Sequence, residues 1–260
     1  AKLLTNLQFI LGTFSICVLF NVERQLFVFV HGDDFINLGK NKEVEWLKQE
    51  MSKELMVKET ARLGPLRSDD KEVICLNRII SLVERDGLIE VEYECDPRHV
   101  QIVLTQLGLD KPNTKSLSSP GVLDKNLEGD LVKLNPQDTA LFRSCTMRLM
   151  YVSEDRPELR FAAKECARYM SAPTERAFNA LKRIGRFLVG VPRLVQRFKM
   201  QNQVKELVAR SDTDHAGCLR TRKSTSSVHL MHGVNLCKAV CATQSIIGLS
   251  SGENEFQGTV

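Results

Sequence analysis

The stretch Phe27-Val28-Phe29-Val30-His31-Gly32-Asp33-Asp34-Phe35-Ile36 decides how the first part of the chain is interpreted. Val and Phe on both sides of the acidic pair are typical of buried strands. Gly32 supplies the backbone freedom that a tight turn between two such strands needs. The sequence therefore predicts an antiparallel hairpin with Asp33 and Asp34 at its tip.

Two adjacent carboxylates at a hairpin tip repel each other, so a fold that keeps them commonly supplies a cation. Oxygen ligands suit Mg²⁺, which proteins hold through one or two carboxylates together with substrate phosphates. An isolated Gly-Asp-Asp is equally typical of a solvated hairpin turn, because short motifs recur by chance. The rest of the chain has to decide between these two interpretations.

Composition is that of a globular protein with an uneven charge distribution. The 260 residues are 43% hydrophobic and 26% charged, enough for the core of one large domain or two smaller ones. The net charge is only +4, yet the segment from Lys182 to Lys223 holds eleven Lys and Arg residues against three acidic ones. Such a segment suits either a phosphate backbone or a solvated basic face.

Cysteine usage and hydropathy suggest an intracellular protein without a membrane partner. Eight cysteines are too few for a disulfide scaffold in a chain of this length, and Cys17, Cys75, Cys145 and Cys166 lie in apolar runs. We expect reduced, buried thiols. The apolar segment from Leu7 to Phe20 is too short to span a bilayer and lacks the basic leader of a signal peptide.

Hydrophobic periodicity predicts the elements of the first half of the chain. In the helix expected after residue 96, Asp96 suits the N-cap and Pro97 the first helical position. The full set is a helix at 3–11, strands at 14–20 and 27–30, an amphipathic helix at 41–55, strands at 56–63, 73–82 and 89–93, and a helix from residue 96.

A polar segment from Gly108 to Asp138 reads as a linker and as the best domain boundary. Three helical patterns follow, one capped by Asp138, one carrying residues 159–170 and one capped by Thr174. The last part predicts strands at 204–211, 227–231, 234–240 and 246–249, and then a capping box, Ser250-x-x-Glu253, that opens a helix.

A second pair of acids lies in this last part. Asp212 ends an apolar strand, and Glu255 falls in the first turn of the helix opened by the capping box. Carboxylates placed in this way are able to share a metal ion, as in two-metal nucleases. A surface Asp and an ordinary acidic residue at a helix start are the plainer interpretation. Asp214 is the weaker ligand candidate, because His-Ala-Gly after it suggests that the strand has ended.

Several motifs in this order resemble the Pol polyprotein of copia-type LTR retrotransposons, and the likeness covers nearly the whole chain. Besides the hairpin stretch and the linker, the motifs are Phe142-Arg143-Ser144-Cys145, Arg156-Pro157-Glu158-Leu159, Met170-Ser171-Ala172-Pro173-Thr174, Ala180-Leu181-Lys182-Arg183, Ser211-Asp212-Thr213-Asp214-His215-Ala216-Gly217, Arg222-Lys223-Ser224-Thr225-Ser226 and Leu249-Ser250-Ser251-Gly252-Glu253-Asn254-Glu255-Phe256.

The resemblance implies an α+β fold, in which a reverse-transcriptase palm and thumb remnant is followed by a helical connection and a partial RNase H-like α/β domain. The implied divisions are a partial palm and thumb at 1–110, a linker at 111–137, the helical connection at 138–200 and the N-terminal part of the RNase H-like domain at 201–260.

The resemblance also implies two catalytic, metal-binding sites. His31-Gly32-Asp33-Asp34 stands in the place of the polymerase motif, so Asp33 would ligate the metal with Asp34 beside it. The first RNase H acid would be Asp212, and a second would be Glu255. The implied cofactor is Mg²⁺ or Mn²⁺. Nucleic acid would contact the basic turn at Arg220, Arg222 and Lys223.

The implied partners are an RNA or DNA template-primer or an RNA–DNA hybrid, and other parts of the Pol polyprotein. The implied location is a cytoplasmic virus-like particle or the nucleus.

Departures from the family pattern weigh against activity of the isolated chain. The third polymerase carboxylate would come from a strand before Ala1, and at least one more RNase H Asp would follow Glu255. His215 stands where the family has an aromatic residue, and Phe256 replaces a Tyr. Both ends look cut, so each site holds about half its ligands. We expect no polymerase or RNase H activity from this chain alone.

Three other functions fit parts of the sequence. Gly-Asp-Asp is also the signature of RNA-dependent RNA polymerases, although those carry no RNase H acids. A zinc module is conceivable from His229, His232, Cys237 and Cys241, but their spacing fits no common structural site. A decayed or repurposed fragment that only binds nucleic acid is the third, supported by the missing ligands and the basic segment.

Overall fold

The computed structural model describes residues 2–122 and 132–259 and is a mixed α/β structure with antiparallel sheets. Its α-helices are α1 (Lys2–Asn6), α2 (Asn41–Ser52), α3 (Pro97–Gln106), α4 (Pro136–Ser153), α5 (Arg160–Ala167), α6 (Glu175–Gly190) and α7 (Ser251–Thr259). Its strands are β1 (Ile10–Leu11), β2 (Val18–Asn21), β3 (Leu26–His31), β4 (Asp34–Leu38), β5 (Glu72–Cys75), β6 (Arg78–Arg85), β7 (Leu88–Glu94), β8 (Val195–Lys199), β9 (Leu207–Thr213), β10 (Thr225–His232) and β11 (Asn235–Thr243).

The first compact unit, Ala1–Ala61, is a four-stranded sheet in the order β1-β2-β3-β4 with α2 packed on one face. Inward-facing Leu26 and Val28 of β3 are fully buried with Leu47 and Met51 of α2. This is the amphipathic helix and the hairpin that the alternation of Val, Phe and Leu predicts. The predicted first helix is shorter than expected: α1 ends at Asn6, a turn follows, and β1 occupies the last two residues of the predicted span.

The predicted strand at 56–63 is wrong, since this stretch contributes only an isolated bridge between Leu63 and Asp70. At the end of this stretch and in the loop after it, side chains bond backbone amides in place of a strand neighbour. The Asp69 carboxylate accepts a hydrogen bond from the backbone N of Leu66 at 3.0 Å, and the Asp70 carboxylate accepts one from the backbone N of Arg62 at 2.9 Å. Such local bonds favour a loop over a strand.

The second compact unit, Arg62–Val260, begins with a four-stranded sheet in the order β5-β6-β7-β8. The single strand predicted at 73–82 is two strands, because Leu76 and Asn77 have φ of 48° and 64° and make a tight turn. Two central residues with positive φ are the mark of a type I′ hairpin. Strand β8 pairs with β7 and falls in the segment predicted as a helical connection.

Helices α3, α4, α5 and α6 enclose one apolar core. Asp96 caps α3 as predicted, accepting a hydrogen bond from the backbone N of Arg98 at 3.0 Å. Thr174 caps α6 as predicted. The predicted cap of α4 is wrong: the Asn135 side chain caps it, and Asp138 donates its backbone N–H to Asn135 at 2.8 Å.

The boundary between compact units lies after Ala61 and not in the predicted linker. Val103 before the linker and Leu149 after it are fully buried in the same core, so the two sides cannot separate without exposing it. The described part of the linker lies along α6, where the backbone N of Leu117 bonds the carbonyl of Arg186 at 3.1 Å. The rest of that prediction, residues 123–131, lies outside the described residues.

A three-stranded sheet, ordered β11-β10-β9, follows in the same unit with α7 packed against it. The predicted strand at 246–249 is wrong. The capping box explains the difference: Ser250 Oγ accepts from the backbone N of Glu253 at 3.1 Å, and the Glu253 carboxylate accepts from the backbone N of Leu249 at 2.7 Å. Leu249 is therefore held in the turn that starts α7.

All eight cysteines are free thiols in the structure. Cys145 and Cys166 are buried as predicted, and burial raises the pKa of the Cys145 thiol to about 11. The prediction of burial is wrong for Cys17, which is exposed in the loop before β2, and Cys75 is only half-buried. Within the described ranges, no helix has the length and hydropathy needed to cross a membrane.

Candidate functional sites

The acidic hairpin tip lies between β3 and β4, where His31 pairs with Asp34 and only Gly32 and Asp33 remain in the turn. Gly32 has a φ of 64°, the conformation in which glycine has no steric penalty. A Cβ at Gly32 would meet no atom within 4 Å, and both aspartates are exposed. The tip is thus open to any ligand that approaches from solvent.

Across the residues that the structure describes, no group of three or more His, Cys, Asp and Glu side chains is placed to hold a metal ion. Asp33 and Asp34 are neighbours at a bend, and within residues 2–122 and 132–259 no third ligating side chain joins them in such a group. A site that holds two metal ions needs more oxygen ligands than this pair supplies. The tip alone therefore does not fit a two-metal centre. His229, His232, Cys237 and Cys241, considered above for zinc, also form no metal-holding group among the described residues.

The second acidic pair is brought to neighbouring positions by the contact between α7 and β9. The Glu255 carboxylate accepts a hydrogen bond from the backbone N of Thr213 at 3.3 Å. Strand β9 lies at an edge of its sheet, and in the described part of the chain the acceptor of this amide is the Glu255 carboxylate. Glu255 therefore lies beside the residue that follows Asp212.

The side chains of Asp212 and Thr213 nevertheless point to opposite faces of the sheet, as neighbours on a strand do. Thr213 faces α7, where a side chain at Gly258 would collide with its Oγ1. Asp212 lines a cavity of about 210 Å³ on the other face, with Arg160 and Phe161 on its wall. The Asp212 and Glu255 carboxylates lie at one end of β9, but among the described residues they do not form a group that could hold a metal ion.

Asp214 and His215 hold the loop after β9. The Asp214 carboxylate accepts hydrogen bonds from the backbone N of Thr225 at 2.7 Å and of Gly217 at 3.4 Å. The Nδ1 atom of His215 lies 2.7 Å from the side-chain nitrogen of the buried Asn254 in α7. These contacts fix the loop to β10 and to α7, and they give both residues a structural role.

The predicted nucleic-acid contacts lie on a closed turn. The backbone N of Arg222 bonds the carbonyl of Cys218 at 2.7 Å, and the backbone N of Cys218 bonds the carbonyl of Lys223 at 3.1 Å. Arg222, with a φ of 56°, is exposed. The guanidinium of Arg220 lies over the ring of Tyr169, 4.9 Å from its centroid, and Lys223 donates to the carbonyl of Ser245.

A larger cavity, of about 830 Å³, lies between α5, α6 and the Cys218–Lys223 turn, and the sequence reasoning missed it. Its cationic lining residues are Arg168, Arg176, Lys182, Arg183, Arg186 and Arg220. The signal was present in the third helical pattern, where Arg176 and Arg183 are seven apart and Arg186 follows three later. Such spacing places them on one side of a helix.

Cys218 lies on the wall of this cavity, and its sulfur accepts hydrogen bonds. Partial burial opposes ionisation of the thiol, but hydrogen bonds from Thr221 and from Arg168 outweigh it and lower the pKa of Cys218 to about 7. The guanidinium of Arg168 lies 2.9 Å from the sulfur, and the backbone N of Thr221 lies 3.4 Å from it. These hydrogen bonds favour the thiolate form of Cys218.

The chain is similar to retrovirus-related Pol polyproteins. It is 36% identical over 120 residues to those from transposons RE2 and RE1 of Arabidopsis thaliana, a match that covers 46% of this chain and 8% of each polyprotein. It is 28% identical over 161 residues to an uncharacterized mitochondrial protein of Arabidopsis thaliana, which covers 62% of this chain and 65% of that protein. No family model and no solved structure matches.

The similarity to Pol polyproteins confirms the coarse part of the resemblance seen in the sequence. The chain spans less than two thirds of the mitochondrial relative and under a tenth of each Pol polyprotein. The copia type, the division into reverse transcriptase and RNase H parts and the roles of the four acids stay predictions.

Proposed function

We propose that this chain is a retrotransposon-derived Pol segment that binds nucleic acid and does not by itself complete phosphodiester chemistry. The similarity to the two transposon Pol polyproteins carries the proposal. The described acidic residues support the part of the proposal that concerns catalysis, since they form no cluster able to hold a metal ion. The proposed ligand is an RNA–DNA hybrid or a template-primer, bound alone or together with other parts of a Pol polyprotein.

The turn that carries Arg222 supports nucleic-acid binding. Arg222 is exposed, and in the described ranges its side chain has no carboxylate partner. Its charge is therefore available to a phosphate. Duplexes that contain RNA are recognised mainly through their backbone and shape, and the cations that contact phosphates release counterions. A turn with Arg220, Arg222 and Lys223 suits that mode of binding.

A catalytic Pol segment is the second candidate, and the position of Glu255 favours it. Its carboxylate bonds the amide next to Asp212, which places two acids at one end of β9. Further ligands, supplied by another part of a longer protein, would have to complete the site before Mg²⁺ or Mn²⁺ could act there. The same holds for Asp33 and Asp34 in polymerisation.

Fluorescence anisotropy with a labelled 20-base-pair RNA–DNA hybrid tests nucleic-acid binding. We expect saturable binding by the full chain, and weaker binding by Arg222→Gln with a salt slope that is smaller by about one. Arg67→Gln is the matched control, because Arg67 is an exposed arginine in the loop before β5. Equal affinities for the two variants, or no binding by the parent chain, would contradict the proposal.

The same hybrid separates binding from catalysis. With millimolar Mg²⁺ or Mn²⁺ we expect no cleavage on denaturing gels and no extension of a recessed primer. Cleavage that disappears in Asp212→Asn, or extension that disappears in Asp33→Asn, would replace the binding function with the catalytic one.

A further inference from the structure

The 830 Å³ cavity is a second candidate binding site. Arg222 and the four predicted catalytic acids do not line it, although it shares Arg220 with the basic turn. Its walls are α5, α6, the segment that includes Leu117 and Pro120, and the loop from Gly217 to Arg220. Its volume falls within the range of roughly 300–1,000 Å³ found for small-molecule sites. It accepts one ligand of nucleotide size, and it is too small for a duplex.

The cavity has an excess of positive charge. Apart from Arg176, which already has an interaction of its own, five of its lining residues are Lys or Arg, and three are acidic: Glu165, Glu175 and Asp214. Glu165 is paired with Arg168 at 3.0 Å, so these two residues add no net charge, and Asp214 is bound to backbone amides. The excess of cations favours an anionic ligand.

Arg183 is the strongest single indication of that ligand. Its Nε atom is buried without a hydrogen-bond partner, and in the described part of the chain its guanidinium has neither a hydrogen bond nor an ion pair. A buried donor without a partner is unfavourable, and an anion in the cavity would satisfy it. Guanidinium groups match the geometry of phosphate oxygens through paired hydrogen bonds.

The rest of the lining suits a flat, apolar group attached to the phosphate. Leu117, Pro120 and Phe161 line the cavity, and Tyr169 lies on its wall beneath the guanidinium of Arg220. Aromatic rings and arginine planes are the surfaces on which nucleic-acid bases stack. We propose that this cavity binds a phosphorylated nucleotide, with cations that include Arg183 holding the phosphate and the apolar wall contacting the base.

The nucleotide has two possible sources, a free mononucleotide or the phosphorylated end of a single strand. The inference rests on the proposed function only for the second source. Anisotropy of a labelled eight-nucleotide oligo(dT) with a 5′-phosphate measures the strand end, and the same oligonucleotide with a 5′-hydroxyl is its control. Calorimetric titration with AMP measures the free nucleotide, and titration with inorganic phosphate shows how much the base contributes.

We expect saturable binding of AMP or of the 5′-phosphorylated strand, with affinity at least about tenfold weaker in Arg183→Met. Arg183→Lys should recover part of the loss, because it restores a charge without the guanidinium geometry. Arg143→Met, which removes an exposed arginine outside the cavity, is the matched control. Urea unfolding checks the fold, and Arg183→Met should be no less stable than the parent, because it removes a buried donor that has no partner.

Two results would overturn the inference: neither probe binds saturably to the parent chain, or Arg183→Met binds as tightly as Arg143→Met. The outcome is independent of the hybrid assay. If Arg222→Gln weakens hybrid binding but neither AMP nor the 5′-phosphorylated strand binds the parent chain, only this inference is refuted. AMP binding that depends on Arg183, without any hybrid binding, refutes only the proposed function.

Discussion

Replacing Arg156 by Met tests whether a buried guanidinium holds the end of α6. The Arg156 side chain is fully buried. Its Nε donates to the Glu158 carboxylate at 2.7 Å, and its two terminal nitrogens donate to the carbonyl oxygens of Val191 and Pro192 at 2.9 and 3.1 Å. Methionine fills much of the same space but can replace none of these hydrogen bonds.

The expected loss of stability follows from what the substitution leaves unpaired. Breaking one side of a buried ion pair costs roughly 3–5 kcal/mol, and hydrogen bonds to a charged group contribute about 1.5–3 kcal/mol each without adding fully. The Glu158 side chain keeps 29% exposure, but its Oε2 atom is buried and, in the described part of the chain, has no hydrogen-bond partner, so the loss should reach at least the lower end of that range. We expect Arg156→Met to lower the free energy of unfolding by about 3 kcal/mol.

Urea unfolding followed by circular dichroism measures this change. With a slope of about 3 kcal/mol/M, the unfolding midpoint should fall by about 1 M. Arg143→Met is a close control, because Arg143 also donates to two carbonyl oxygens, those of Met170 and Ser171, but it is exposed. It should lose less than about 1 kcal/mol, since water replaces its hydrogen bonds. Equal losses in the two variants would refute the argument from burial.

Three further predictions concern titration and capping. In a chain whose exposed thiols at Cys17 and Cys237 are changed to Ser, the rate of Cys218 alkylation should reach half of its maximum near pH 7. Arg168→Met should move the midpoint of this pH profile to higher pH. Burial lowers the pKa of His99; Asp96 raises it, and the positive charge of Arg148 lowers it further. Because the folded-state pKa is below the unfolded value, the unfolded chain binds more protons than the folded chain as His99 titrates. Stability should therefore fall as the pH drops below about 6.5, less steeply in His99→Gln, as urea midpoints between pH 5 and 8 will show. Thr174→Ala removes the cap of α6 and should lower the free energy of unfolding by about 1 kcal/mol, measured by the same method.

Local chemistry explains which elements were predictable from the sequence. The hairpin at Gly32 depends on one glycine between two runs of Val and Phe. The helix after Asp96 and the helix after Thr174 depend on capping side chains and on apolar spacing within a few turns. All of this information lies within about ten residues of each element, so periodicity and capping rules recover it.

Long-range packing explains most of what was missed. Strand β8 pairs with β7, about a hundred residues earlier in the chain, and no local pattern distinguishes it from the end of a helical segment. The polar composition before Asp138 suggested a domain boundary, yet Val103 and Leu149 from its two sides share one core. Composition reports how exposed a segment is, and it does not report which elements pack together.

The candidate site was only partly predictable for a related reason. The capping box predicted the helix that carries Glu255, but its contact with the amide of Thr213 depends on how α7 packs on the sheet. The side of the sheet that Asp212 faces depends on strand register, because a shift of one residue reverses it. The basic cavity joins residues from two helices and a distant turn, so only the α6 part of it left a sequence pattern.

The most direct test of the central claim is the salt dependence of hybrid binding by the full chain. If Arg220, Arg222 and Lys223 contact phosphates, the slope of log affinity against log salt concentration should be about −2 to −3, at roughly one unit for each phosphate contact. A slope near zero, or no binding of the hybrid at low salt, would contradict a nucleic-acid-binding function for this chain.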